Sequence, residues 1–333
     1  MFSKSISAIS ILLLVVAGAF HVARAAIAND HHQQQLINEA ANILAYEAGA
    51  KTSFAISREH YQPITDCMFV TSESGPFSYV STSNSDDVCG IYFLTDPDRT
   101  VEIHFDSYDV PCDHRGLLAV VDGWELNGEL FPNEGDHILP IKDRVTEFCG
   151  KNRWYRSKKI FTSSQNAALI QYRVPLRGRG FVVSARYPKN PRPCNVLSVS
   201  TTDPFTLRNY GKRINCTLMA VYPGTVQVIA LEVGSISPSH SVARMTETGT
   251  LRKCDTMSPQ DQVQIGGSRD LDTTKLDVID SICGIDSKSD IKESVPYDVT
   301  VVRLISSGYC DNSVTVAIRS IIDNDMLEAI SGL

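Results

Sequence analysis

The residues best equipped for chemistry are nine cysteines, at positions 67, 89, 112, 149, 194, 216, 254, 283 and 310. They contain no CxxC pair, so their spacing points to cross-linking and not to a redox dithiol. Nine is an odd number, so at least one thiol is left over. Other reactive patterns are missing: there is no GxSxG elbow, no HExxH zinc helix and no P-loop. Arg177-Gly-Arg-Gly180 lacks the third glycine of a dinucleotide fingerprint and reads as a hairpin turn. Histidines at 60, 104, 114, 137 and 240 are scattered, and no pair has metal-ligand spacing. His104 reads as an ordinary surface or packed residue. No catalytic residue, metal site or cofactor is expected from these patterns.

Three further stretches could meet a partner. Arg153-Trp-Tyr-Arg-Ser-Lys-Lys159 is basic and aromatic and could touch a polyanion, but in so acidic a chain it reads better as a solvated loop. Asn215-Cys216-Thr217 satisfies the N-glycosylation sequon. Trp124 and Phe131 flank a long polar excursion and are either exposed ligand anchors or pins holding that excursion to the body.

The first 25 residues set the compartment. Lys4 precedes the apolar run ISAISILLLVVAGAF, and Ala23-Arg24-Ala25 is a small-x-small cleavage site, the pattern of a secretory signal peptide. No second run approaches membrane length, so the mature chain is expected to be extracellular and free of the membrane. Its cysteines then read as a disulfide framework. Removing Lys4 and Arg24 leaves 29 basic against 38 acidic residues and moves the net charge from −7 to about −9. That balance argues against nucleic acid.

The elements that carry these residues are mostly strands. Residues 26–66 hold no cysteine, and LINEAANILAYEAGA within them has Leu36, Ala40, Ile43 and Leu44 at helical spacing. From Cys67 the pattern is alternation, as in Val101, Ile103 and Phe105 against Glu102, His104 and Asp106. Leu117–Val121 is an apolar run closed by Asp122-Gly123, and SSQNAALIQYRV with GRGFVVSARY reads as a hairpin pair. VQVIALEV, VTVVRLI and VTVAIR follow, separated by Pro- and Asn-rich turns. Short strands with such punctuation indicate an all-β sandwich.

An internal repeat organises them. Cys67 to Cys89 and Cys194 to Cys216 are both steps of 22, and Cys149 and Cys283 are both followed by Gly and then by two strands. The second half repeats the first after a shift of about 127 residues, so the chain holds two copies of one module. The expected division is signal peptide 1–25, helical or extended segment 26–66, modules 67–187 and 194–322, a Pro-rich linker 188–193 and a tail 323–333.

The strings LAVVDGWELNGELFP, TEFCG, SSQNAALIQYRV, PCNVLSVS, INCTLMAVYP, VVRLISSG and the terminal ISGL resemble the corticotropin-releasing factor-binding proteins, collinearly from about Cys67 to Leu333. The resemblance implies a secreted, non-enzymatic glycoprotein of two tandem CUB-like β-sandwich (jelly-roll) domains. It would capture corticotropin-releasing factor-like peptide hormones, of the diuretic hormone type in an invertebrate, and limit receptor activation. It also implies the pairs Cys67–Cys89, Cys112–Cys149, Cys194–Cys216 and Cys254–Cys283, with glycan at Asn215. Each 22-residue loop would stabilise its module by roughly 3 kcal/mol.

Three departures matter. Tyr297 and Ala329 stand where the family has a fifth disulfide, which leaves Cys310 over, at an expected hairpin tip, as a free thiol or the link of a disulfide-bonded dimer. Pro63 and Phe69 stand where the family has charged residues tied to peptide capture, so the peptide contacts are not assigned. Gly116 stands where many CUB modules place a calcium-binding Asp, although Asp113 is near, and calcium is not expected. The competing reading is an extracellular structural or adhesion module that binds protein or glycan partners.

Overall fold

A computed structural model describes residues 61–152, 159–199, 203–234, 261–287 and 289–321. The signal sequence, the N-terminal helical pattern, most of the Arg153–Lys159 run, Cys254 and the tail lie outside these residues.

Within them the chain forms two β-sandwiches of one topology. In the first, one sheet runs Met68–Thr71, Cys89–Leu94, Ala167–Arg173, Leu117–Asp122, Val145–Phe148, with the first pair parallel and the rest antiparallel. The second module repeats this order with Val196–Ser198, Cys216–Ala220, Val299–Ile305, Gln262–Ser268 and Asp277–Ile282, again parallel only at the first pair. The facing sheets also match. Gly75–Val80, Gly180–Arg186, Glu102–Val110 and Gly150–Asn152 are answered by Phe205–Arg208, Ser313–Ser320, Gly224–Val233 and Gly284–Asp286. Even the irregularity is duplicated: the central pair shifts register between Val182 and Val183 in one module and between Val228 and Ala230 in the other. The shift is why Asp106 leaves the polar face expected for it and is buried, taking a hydrogen bond from the Ser184 hydroxyl.

Alternation explains the cores. Val101, Ile103 and Phe105 are all fully buried between the sheets of the first module, while His104 pairs with Glu102 on the outer face at 2.6 Å. The first core is aromatic, with Phe105 meeting Tyr108, Phe148 and Phe161 edge-on. The second is built from Val, Leu and Ile, among them Val226, Val228, Val263, Ile265, Val302 and Val316. Disulfides join Cys67 to Cys89, Cys112 to Cys149 and Cys194 to Cys216, and the two 22-residue steps have nearly equal Cα separations of 4.5 and 4.6 Å. Cys283 is also disulfide-bonded, to a partner outside the described residues.

The hairpin readings are corrected. Ala167–Arg173 and Gly180–Arg186 are consecutive strands in opposite sheets, as are Val299–Ile305 and Ser313–Ser320. The connection in each case crosses the sandwich edge, so each strand pairs with earlier strands of its own sheet and the two inner faces meet across the core; local pairing would leave one face in water. Arg177–Gly180 is still a tight turn, with Gly178 at φ +77° and the Arg179 N–H donating to Leu176 O. The Asn127-Gly128 turn between Trp124–Leu126 and Glu129–Phe131 is the true two-residue hairpin, both turn residues having positive φ.

Cys310 is likewise not at an exposed tip. The Val299–Ile305 to Ser313–Ser320 connection crosses between sheets, and Cys310 is only 5% exposed. Asn209 Nδ2 donates to the Cys310 carbonyl and Asn312 N–H donates back to Asn209 Oδ1, folding the segment inward. Burial, with the Asp261 carboxylate beside it, raises the thiol above its ordinary pKa. A second chain cannot reach this sulfur without opening the loop, which removes the physical basis for a dimer linked through Cys310. The native protein should therefore run as a monomer on a non-reducing gel and resist a thiol reagent until denatured; a Cys310-linked dimer would contradict the structure.

Candidate binding site at the joint between the modules

The excursion after Leu117–Asp122 is held rigidly to the first module. Gly123 has φ +111°, and a Cβ there would lie 2.1 Å from Phe131 O, so the chain turns here only as glycine. Trp124 and Phe131 are buried, with Trp124 Nε1 donating to Phe93 O at 2.9 Å; they are pins, not exposed anchors. Arg144 is buried on backbone alone: Nε and Nη2 donate to Asp122 O at 3.1 and 3.0 Å, and Nη1 donates to Pro132 O at 2.7 Å. Burial lowers its pKa. His137 Nδ1 accepts the Leu139 N–H, and Nε2 stands 3.2 Å from Asp122 Oδ2. Burial alone would raise the Asp122 carboxyl, but the His137 ring and the Ser164 hydroxyl and N–H together hold it below the ordinary value.

This frame presents Asp136 to the second module. The residue is 2% exposed, and its carboxylate is ringed by donors from the other sandwich. Arg303 Nε donates to Oδ2 at 2.9 Å and to Oδ1 at 3.1 Å. Asn215 Nδ2 donates to Oδ1 at 3.0 Å, and the Thr217 and Thr273 hydroxyls donate to Oδ2 at 3.2 and 3.1 Å. Asn195 Nδ2 donates to the Asp136 carbonyl at 2.9 Å. Nearby, fully buried Asn166 imitates a strand: its Oδ1 accepts Leu197 N–H at 3.0 Å while its Nδ2 donates to Leu197 O at 2.8 Å. The Pro-rich stretch between the modules is sewn to the first, through Pro188 O to Thr100 N–H and Asn190 N–H to Asp98 O.

Beside Asp136 a cleft of about 470 Å³ opens between the modules, lined by Ile138, Arg213, Asn215, Ser306 and Ser307 among others. Clefts at domain joints are where ligands most often bind. Sequence reasoning missed Asp136 and Arg303, since neither lies in a motif; a carboxylate in a long, otherwise pinned loop was the only available signal.

Two family models, the corticotropin-releasing factor-binding protein N-terminal and C-terminal domains, match residues 59–189 and 196–327. The chain belongs to the corticotropin-releasing factor-binding protein family. It is 30% identical to the corticotropin-releasing factor-binding protein of Rattus norvegicus, covering 84% of this chain and 82% of the relative. The Homo sapiens protein of that name is also 30% identical, with the same two coverages. Among solved structures, the CUB1-EGF-CUB2 domains of rat MASP-1 are 13% identical at a TM-score of 0.25, covering 78% of this chain and 100% of that one. The fold rests on the strand pairing above.

The remaining residues singled out by sequence are dispersed. Pro63 is exposed on one sheet of the first module, whereas Phe69 lies in the other and packs its ring edge-on against Phe77. Lys159, the end of the basic run, sits over the Phe148 ring. Asp113 is exposed, and Gly116 is in a turn where its N–H donates to Pro111 O. Among the described residues no group of three or more His, Cys, Asp or Glu converges as a metal site.

Asp136→Ala should cost about 3–5 kcal/mol by urea denaturation, because Arg303, whose side chain is only 17% exposed, loses its charge partner. Adding Arg303→Leu should recover part of that loss; a cost below about 1 kcal/mol for the single change would show the pair to be worth no more than a surface one. Asp122 sets an acid limb. Its folded carboxyl is held below the unfolded value of about 3.9, so its contribution is full above that value and disappears as pH falls through the folded one. Asp122→Asn should therefore flatten the loss of thermal stability between about pH 4 and pH 2.

Proposed function

We propose that this protein is a secreted, non-catalytic binding protein for corticotropin-releasing factor-like peptides, which it withholds from their receptors. The observation that carries the reading is coverage: both family domains are present in order, and the similarity spans 82% of the rat relative, so the reading draws on the whole binding scaffold. Disulfides in both modules and the N-terminal signal pattern support an extracellular setting. Glycan on Asn215 belongs to the same reading. The relatives that match are named as binding proteins, and the proposal includes no chemistry on the peptide.

A long peptide that folds as it binds loses chain entropy, so the scaffold gains most by being rigid beforehand. The buried joint and the pinned loop provide that rigidity. The peptide contacts must differ in detail from those of the relatives, since Pro63 and Phe69 offer no charge. Titration of labelled corticotropin-releasing factor or diuretic-hormone peptide into the purified protein should give saturable binding near nanomolar, about −12 kcal/mol, with the peptide recovered intact. Absence of saturation below about micromolar would reject the reading.

A further inference from the structure

We propose that the cleft between the modules is a carbohydrate site, which seats the first sugar of a glycan carried by Asn215. The inference rests on the glycoprotein reading above and adds where the sugar goes and what it does.

Asn215 lines the cleft and is half-buried, so its amide belongs at once to the joint and to open space. The amide nitrogen carries two hydrogens. One goes to Asp136 Oδ1 at 3.0 Å, and the amide oxygen accepts the Ser306 N–H at 3.3 Å. Glycosylation forms an Nδ2–C1 bond as the sugar's bond to its lipid-diphosphate donor breaks, and one amide proton leaves. The hydrogen that remains can keep the bond to Asp136. The sugar then has one place to stand, the cleft. Its walls offer the Arg213 side chain and the apolar surface of Ile138, which is 63% exposed. A polar ligand with one apolar face fits that mixture, and the cleft volume lies within the ordinary range for small-ligand sites, about 300–1,000 Å³.

The order of events follows from burial. Thr217, which completes the sequon, is 1% exposed and its hydroxyl donates to Asp136, so attachment must precede docking of the modules. The sugar is thus built into the joint as it closes.

Secreted full-length protein bearing high-mannose glycan separates the possibilities. Intact mass first establishes the glycan. An endoglycosidase that leaves a single N-acetylglucosamine on the folded protein should leave hydrogen exchange at Gly135–Ile138 and Ile305–Ser307 within about twofold of native, since the joint's hydrogen bonds stay intact. A glycoamidase acting on the untrimmed protein removes the whole glycan, first sugar included, by adding water across the amide, releasing a glycosylamine and leaving aspartate at 215, against the Asp136 carboxylate. Exchange in the same two segments should then rise tenfold or more, and Asn215→Gln, which has no sugar and no new charge, should raise it about fivefold. Equal exchange in the trimmed protein and Asn215→Gln would overturn the site while leaving the glycoprotein reading intact. Loss of protection on trimming would also overturn it, and an unglycosylated Asn215 would overturn both.

Discussion

A carboxylate from one sandwich is buried in the face of the other, and the mutual placement of the modules depends on it. Withdrawing Asp136 from water is costly unless its oxygens are met by good donors. Here they receive a guanidinium, an amide and two hydroxyls, all from the second module. A small rotation of one module would break several of these bonds together, so the arrangement is specified and not merely favoured. The exposed Lys275–Glu129 pair also spans the modules but is worth little beside it.

The segment that delivers Asp136, between the Glu129–Phe131 strand and the short helix at Ile141–Arg144, has no regular structure of its own to stiffen it. It is fixed instead by buried Trp124 and Phe131 and by a buried Arg144 spent wholly on backbone carbonyls. Asn166 supplies the second contact, standing in for a strand so that the first module's sheet ends on the second module's backbone. Stiffness in the sandwiches is thereby carried across the joint. A peptide-binding protein benefits from this, because order already present in the scaffold is not lost on binding.

Two copies of one topology have been filled differently. The first core stacks aromatic rings edge to face, and the second packs branched aliphatic chains. Both tolerate this because the pleat dictates only which side a residue faces, while volume can be made up by either kind of side chain. The excursion is anchored apart from the aromatic core, with Trp124 edge-on to Tyr92, and the second module receives the Asp136 plug.

Strand content, the duplication and the buried faces were legible in the sequence, because alternation and repeated cysteine spacing are local signals. Val101, Ile103 and Phe105 could be placed inwards from their order alone. Which strands pair could not be read so directly. Ala167–Arg173 and Gly180–Arg186 look like a hairpin until earlier strands compete for the same edges, and the same competition buries Cys310 where a turn would have exposed it. The joint was invisible for a similar reason. Asp136 and Arg303 are 167 residues apart and lie in no motif, and only the closed fold brings them together. Sequence determined what each segment is, through periodicity; tertiary structure decided what each segment meets, because burial energy is gained only when distant faces close on one another.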